Sequence, residues 1–531
     1  MCIRSATAIA LVLSLTLASC NKQEEPAKAY EVEEVSLAQL SADLAGGKTT
    51  SVAATQAYID RINKYDGALN AVIGVMPDAL EQAAASDQRR KDGKSLGPMD
   101  GIPILLKDNI DAVGLATTAG SFALVDNMPV KDSEVTRRLR EAGAVILGKT
   151  NTSQWAGLRT EESFNGSTVG GSTHNPYDLT RSAAGSSNGS GIAAAASLAA
   201  GTMGTDTTGS IISPSSYMGL VGMRPTIALI SRRGIVPISH TQDTSGPMTR
   251  TVTDFAMMLS VVAGSDPADP ESAEADAHKT DYVKALSIEA LKGKKLGVFR
   301  GTRGYNETTA VVLDEAIKVL QAEGAEVVEL PADLLEDTSQ EQRVIMIHEI
   351  KEDVAAYLVD APASVKSRTL ADLIEFNKTD PRESMHGQDM FEEAQATNGR
   401  QDDVYVKAKA YAQRRAGVEG FGRAFKDFGV DAVIGLSRGP AEVIPPDGKG
   451  GEHVAGVRAK GAAPPHMSGN AALAGYPNLT VPMGLVNGLP VGLSFVGPAW
   501  SEAALVGFGY DFEQASKKRV PPTAYKAAAA K

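Results

Sequence analysis

Three segments of this 531-residue chain carry side chains that could together run nucleophilic chemistry. Lys107 stands where an apolar, strand-like run, Gly101-Ile102-Pro103-Ile104-Leu105-Leu106, meets the polar turn Asp108-Asn109. A second segment, Ala183-Ala184-Gly185-Ser186-Ser187-Asn188-Gly189-Ser190-Gly191, runs straight into a small-residue apolar stretch at 192–200. A third, Gly204-Thr205-Asp206-Thr207-Thr208-Gly209-Ser210-Ile211, closes at Gly219-Leu220-Val221-Gly222-Met223-Arg224-Pro225-Thr226. Small residues around an isolated Ser let backbone N–H groups converge on one point, as an oxyanion site requires. A Ser hydroxyl alone is a weak nucleophile and needs a base. None of the seven His residues lies in these segments. A Lys in apolar surroundings is the natural substitute, because desolvation disfavours its charged form and lowers its pKa toward neutrality. The plain alternative is a Gly/Ser linker beside a snorkelling surface Lys. Linkers of that kind are rarely embedded among apolar strands.

Two other motif matches fail on physical grounds. The stretch from Gly143 to Thr150 fits the phosphate-loop pattern letter for letter. A phosphate cradle needs a flexible loop with inward N–H groups, whereas Ala144-Val145-Ile146-Leu147 is a β-forming run that predicts a buried strand. The second match, Gly185-Ser186-Ser187-Asn188-Gly189, fits a nucleophile elbow with Ser187 as the nucleophile and His453 or His466 late in the chain. That motif wants a strand directly before it, and Arg181-Ser182-Ala183-Ala184 is a poor one.

The elements that must position these groups alternate between strand and helix. Three- and four-residue apolar spacing predicts a helix from Val35, through Leu37, Leu40 and Leu44, and a second through Ala57, Ile59, Ile62 and Tyr65. A helix over 133–142 precedes the strand at 144–147. Residues 160–226 read as Gly- and Ser-rich loops around two short apolar stretches, 192–200 and 211–212. Strand, helix and strand follow at 296–299, 310–323 and 326–330. Residues 335–428 are charged and helical, a cap-like region that shapes the pocket. Strands return at 430–436 and as a pair within 478–496, around a Gly-Leu-Pro turn. This alternation predicts one large α/β domain over 35–525, with a mixed sheet and helices on both faces.

Composition narrows the function classes. The chain is 43% hydrophobic and 22% charged with a formal net charge of -12 and no basic block, so nucleic acid is not an expected partner. No cluster of His, Cys and carboxylates suggests a metal, and no cofactor is expected. At the N-terminus, Arg4 precedes an uncharged run at 5–19 that is too short for a comfortable membrane span. It ends in Leu17-Ala18-Ser19-Cys20 and turns polar at once. This resembles a bacterial lipobox and implies a signal peptide at 1–19, acylation of Cys20 and a polar tether over 20–34. Asn21 in place of Asp points to the outer membrane. The only other cysteine, Cys2, lies in the removed part, so a catalytic Cys is excluded and membrane contact is expected through the lipid alone.

The motifs as a set are similar in order and spacing to the amidase-signature family. The likeness is carried by Gly101-Ile-Pro-Ile-Leu-Leu-Lys107-Asp108-Asn109, Gly148-Lys149-Thr150-Asn151, the Gly-Ser-Ser segment, Asp206-Thr-Thr-Gly-Ser210 and Met223-Arg-Pro-Thr226. Asn470-Ala-Ala-Leu-Ala-Gly475-Tyr-Pro477 and Gly488-Leu-Pro-Val-Gly492 extend it downstream. The resemblance implies an amide hydrolase with a Ser–cis-Ser–Lys triad. Ser210 would be the nucleophile, Ser186 the proton relay after a cis bond from Gly185, and Lys107 the base. Backbone N–H groups of Thr207, Thr208, Gly209 and Ser210 would hold the oxyanion. Within the family the chain looks most like bacterial peptide amidases, which act on C-terminal amides, and aryl acylamides are the alternative. An amidotransferase subunit would need a cytoplasmic partner, and an inactive amide-binding lipoprotein would not need the three triad residues. Thr208 replaces the usual second Gly before the nucleophile, Ile212 a frequent Arg, Ala184 a paired Gly and Asn188 another Gly.

Overall fold

The apolar run before Lys107 forms a strand buried along its whole length, and the rest of the architecture is built outward from it. In this computed structural model, which describes residues 30–161, 165–444 and 464–529, thirteen strands are present among the described residues. They are β1 (Val72–Val75), β2 (Pro103–Lys107), β3 (Val145–Thr150), β4 (Gly166–Ser167), β5 (Gly171–Ser172), β6 (Gly201–Asp206) and β7 (Val221–Arg224). The remainder are β8 (Thr244–Thr249), β9 (Lys295–Val298), β10 (Glu326–Glu329), β11 (Ala432–Leu436), β12 (Asn478–Val486) and β13 (Leu489–Val496). β4 and β5 make a separate hairpin. The other eleven form one sheet in the order β1-β3-β2-β6-β8-β7-β12-β13-β11-β9-β10. It is mixed: β3, β2 and β6 run parallel, as do β11, β9 and β10, and antiparallel pairs join the two blocks.

This is the single α/β domain with a mixed sheet that the alternation of elements predicts. β2 sits between parallel neighbours, with Lys107 opposite Thr150 of β3 and Leu106 opposite Met203 of β6. Lys107 and Asp206 therefore emerge at the same, carboxyl edge of the sheet, where parallel α/β sheets place their sites. The helix Asn188–Ala195, made of Gly, Ser, Ala and one Ile after its first residue, packs against β2, β3, β6 and β8. Its side chains are small enough to let backbones approach closely. At Gly189 an added Cβ would stand 2.5 Å from the Asn151 carbonyl oxygen.

Several expectations need correction. Residues 160–226 are not only loops: β6 and β7 lie within them and occupy the interior of the sheet. Gly201-Thr-Met-Gly-Thr-Asp206 lacks the β-branched alternation of a readable strand, and burial between two neighbours imposes the extended form. The small-residue apolar stretch at 192–200 is helical only as far as Ala195, in a helix that begins at Asn188. The tether expected to reach residue 34 is already packed at its end, with Val32 buried, the Tyr30 hydroxyl donating to Asp43 at 2.7 Å and Glu34 paired with Arg519. The turn between β12 and β13 falls at Asn487-Gly488, both at positive φ, rather than at Gly-Leu-Pro. Residues 1–29, including Cys20, lie outside the described residues. Among the described residues no helix is long and apolar enough to cross a membrane.

The 335–428 region is helical as expected, with helices Ser339–Leu358, Leu370–Thr379, Asp389–Ala396, Asp403–Ala416 and Gly422–Asp427. It has its own apolar cluster, which takes in Trp155, Leu158, Val236 and Ile238 from the sheet domain's loops. Buried Arg159 pairs with buried Glu383 across this junction.

Candidate active site

Three elements converge beside the carboxyl edge of β2. Lys107 ends the strand, Ser186 precedes the helix Asn188–Ala195, and Ser210 lies in the turn between β6 and the helix Ile212–Tyr217. The Lys107 ammonium nitrogen donates to Ser186 Oγ at 2.7 Å and to Thr205 Oγ1 at 2.8 Å. The Gly185–Ser186 bond is cis. The Ser187 N–H donates to the Ser210 carbonyl at 3.2 Å, which sets the two serine segments side by side. All three side chains are buried, and Ser210 Oγ has no hydrogen-bond partner. Complete burial lowers Lys107 from 10.5 to about 7, while the charges of Asp206 and Asp243 pull it upward.

The turn bearing Ser210 is braced from below. Asp206 accepts the Gly209 N–H at 2.9 Å on one oxygen and the Ile211 N–H at 2.7 Å on the other. Arg224, wholly buried at the end of β7, pairs with Asp206 at 3.1 Å and also donates to the Asp206 and Gln242 carbonyls. The four-donor oxyanion expectation changes here, because the Gly209 N–H is turned onto the buried carboxylate. Among the described residues the N–H groups of Thr207 and Ser210 have no protein acceptor. Gly209 is required by geometry: its φ is +134° and a Cβ would lie 2.7 Å from Ser468 Oγ. Thr208 lies outside the left-handed region, so a side chain there adds no such backbone strain, whereas Ala184 sits at φ 56°.

Thr205, Asn109, Asp206 and Arg224 are the neighbours to which sequence reasoning gave no role, although all four stand inside the motifs it used. Asn109 donates to Thr205 Oγ1 at 3.0 Å, fixing the second hydroxyl on Lys107. The rejected motifs stay rejected. Residues 145–150 are strand β3, and the wholly buried Lys149 donates to the Ile110 carbonyl and to Thr117 Oγ1. Ser187 Oγ is committed to Thr205, donating to its carbonyl at 3.0 Å and accepting its N–H at 3.2 Å. His466 is bonded to Ser468 and Arg438, and His453 lies outside the described residues. Among the described residues no group of three or more His, Cys, Asp and Glu is placed to hold a metal ion.

The family model named Amidase matches residues 53–506. A probable amidase of Arabidopsis thaliana is 34% identical over 97% of this chain and 95% of its own length. The chain belongs to the amidase-signature family. It is an amide-hydrolysing enzyme, and its sheet is that family's fold. The native peptide amidase of Stenotrophomonas maltophilia superposes on this amidase with a TM-score of 0.85 at 41% identity, covering 92% of this chain and 98% of that one. A glutamyl-tRNA(Gln) amidotransferase subunit of Thermoanaerobacter pseudethanolicus is 33% identical over 93% of this amidase and 99% of its own length.

Proposed function

We propose that this amidase cleaves C-terminal peptide amides through an acyl-enzyme on Ser210, with Ser186 as proton relay and Lys107 as base. The observation that carries the reading is the 2.7 Å contact between Lys107 and Ser186 in a fully buried setting. With the amine neutral, its lone pair takes the Ser186 proton while Ser186 Oγ takes that of Ser210, and Ser210 Oγ adds to the amide carbonyl carbon. The oxyanion is met by the N–H groups of Thr207 and Ser210. The proton returns from Lys107 through Ser186 to the leaving nitrogen, and the C–N bond breaks. Water, deprotonated along the same path, then releases the carboxylic acid from Ser210. The peptide-amide preference rests on the likeness to the Stenotrophomonas peptide amidase. The lipobox-like Leu17-Ala-Ser-Cys20 supports export and an outer-membrane lipid anchor.

The deciding experiment measures ammonia and amine release from peptide amides, aliphatic amides and anilides by protein lacking residues 1–20 and by its Ser210→Ala variant. Peptide-amide turnover lost by at least about 10³-fold in the variant is expected. Turnover that persists without Ser210, or no labelling of Ser210 by a serine-reactive phosphonate, refutes the acyl-enzyme. A preference for anilides would replace the substrate class while leaving the mechanism. Membrane association that survives Cys20→Ala in the full chain would refute the anchor.

A further inference from the structure

Asp243 is a buried carboxylate that the proposed mechanism does not use. It ends the loop after the Gly234-Ile-Val-Pro-Ile-Ser239 segment and directly precedes β8. One of its oxygens accepts the Thr207 hydroxyl at 2.7 Å. The other accepts the N–H groups of Ile238 at 2.7 Å and Ser239 at 2.9 Å. Thr207 is also one of the two residues whose N–H groups stand open at the oxyanion turn among the described residues, so one carboxylate holds the outer end of that turn against a separate loop.

The charges around Asp243 explain why it acts beyond this hydrogen bond. Facing it are Lys107 at the end of β2, Asp206 and Arg224 at the ends of β6 and β7, Arg232 and His240 from its own loop, and Glu349 and Asp353 from the helix Ser339–Leu358. The cations among these are already committed. Arg224 pairs with Asp206 and Arg232 with Asp269 and Glu271, while Asp353 has its own cation in Arg400. His240 pairs with Glu271. Asp206 acts on Lys107 more strongly than Asp243 does, but its charge is matched by Arg224. Asp243 also feels the Arg224 guanidinium, but among the described residues its own oxygens are held by a hydroxyl and two backbone amides rather than by a cation.

We propose that Asp243 is a positioning residue for amide cleavage, fixing Thr207 at the oxyanion turn and supplying negative potential at the Lys107 amine. This rests on Lys107 as the base. Burial raises Asp243 to about 6, so it is ionised where Lys107, at about 7, turns neutral. Its charge favours the ammonium and holds the acid limb of the rate profile higher than burial alone would.

The test compares pH–rate profiles of the parent, Asp243→Asn, Thr207→Val and the double variant on a peptide amide. Loss of the Asp243 charge should move the acid limb of kcat/KM to lower pH by about half a unit or more. Both single variants should lower the plateau kcat by about tenfold, with KM within about twofold. Thr207→Val keeps the carboxylate and should leave the limb in place. The double variant should be little worse than either single one, because both act on the Asp243–Thr207 contact. General damage to the fold lowers the plateau but does not shift the limb downward.

A limb that is unmoved or raised in Asp243→Asn overturns the proposal, as do plateau losses that multiply in the double variant. If Asp243→Asn does not fold, Thr207→Val decides alone, and an unchanged kcat overturns the positioning role. A parent profile with no acid limb refutes Lys107 as the base, which is a separate failure.

Discussion

Replacing Lys107 by Met should abolish turnover and yet make the protein more stable. An amine brought from 10.5 to about 7 by burial costs the folded state about 5 kcal/mol at neutral pH, at about 1.4 kcal/mol per pH unit. Met has a similar length and no charge, so that cost disappears. Against the gain stand the hydrogen bonds to Ser186 and Thr205. Losing a partner costs each hydroxyl about 1 kcal/mol or more. Thr205 keeps Asn109, which softens its loss. The net expectation is a gain of about 1–3 kcal/mol at pH 7.

The pH dependence gives this prediction its signature. Between about 7 and 10.5 the unfolded Lys107 carries a proton that the buried one lacks. The unfolded state then binds more protons, so the parent's stability rises with pH across that window. The Met variant has no such proton. Its advantage should be largest at pH 7 and below, fall by about 1.4 kcal/mol per pH unit above that, and turn into a deficit before pH 10.5, where only the lost hydrogen bonds remain. Urea unfolding followed by tryptophan fluorescence reads the difference directly, since the chain has only two Trp residues. A variant less stable than the parent at pH 7, or a difference that stays flat up to pH 10, would refute a desolvated, neutral Lys107.

Two further substitutions test the brace beneath the nucleophile. Arg224→Met leaves Asp206 buried without its cation and should lower stability by about 3–5 kcal/mol, read as a fall in the urea midpoint. The folded fraction should label more slowly with a serine phosphonate, because Asp206 holds the Gly209 and Ile211 amides. Gly209→Ala combines φ +134° with a Cβ 2.7 Å from Ser468 Oγ. The backbone strain alone is about 1–3 kcal/mol, so kcat should fall at least about tenfold. A kinetically normal Gly209→Ala enzyme would show that the turn can shift without harm.

The sequence was most readable where residue type and burial agree. The strand before Lys107 is apolar at nearly every position and is buried at every position. The helix ending at Tyr65 shows its apolar face in its spacing. A Lys base was legible because no His lies in the Ser-bearing segments, while the roles expected of Ser210 and Ser186 came from the resemblance to the amidase-signature family. β6 was not legible, since Gly201-Thr-Met-Gly-Thr-Asp206 has the composition of a loop and becomes a strand only through its neighbours. The role of Arg224 was hidden for a related reason. Eighteen positions separate it from Asp206, and only the adjacency of β6, β8 and β7 brings them together. Asp243 was hidden in the same way, because its contact with Thr207 spans two strands.

The order of the sheet also fits the proposed lysine base better than a histidine one. The carboxyl ends of β2 and β6 lie next to each other, and the Lys107 nitrogen at the end of β2 has to meet both Ser186 and Thr205. Lys has the length to do this while its stem stays in apolar contact. A buried carboxylate needs partners, and Asp206 meets Arg224 and two backbone amides. Asp206 at the end of β6 and Arg224 at the end of β7 thus pair beneath the turn that bears Ser210. On this argument, moving the cation from position 224 to position 212, where Ile212 now stands wholly buried at the start of a helix, would not reproduce the brace unless its guanidinium reached the same two oxygens of Asp206.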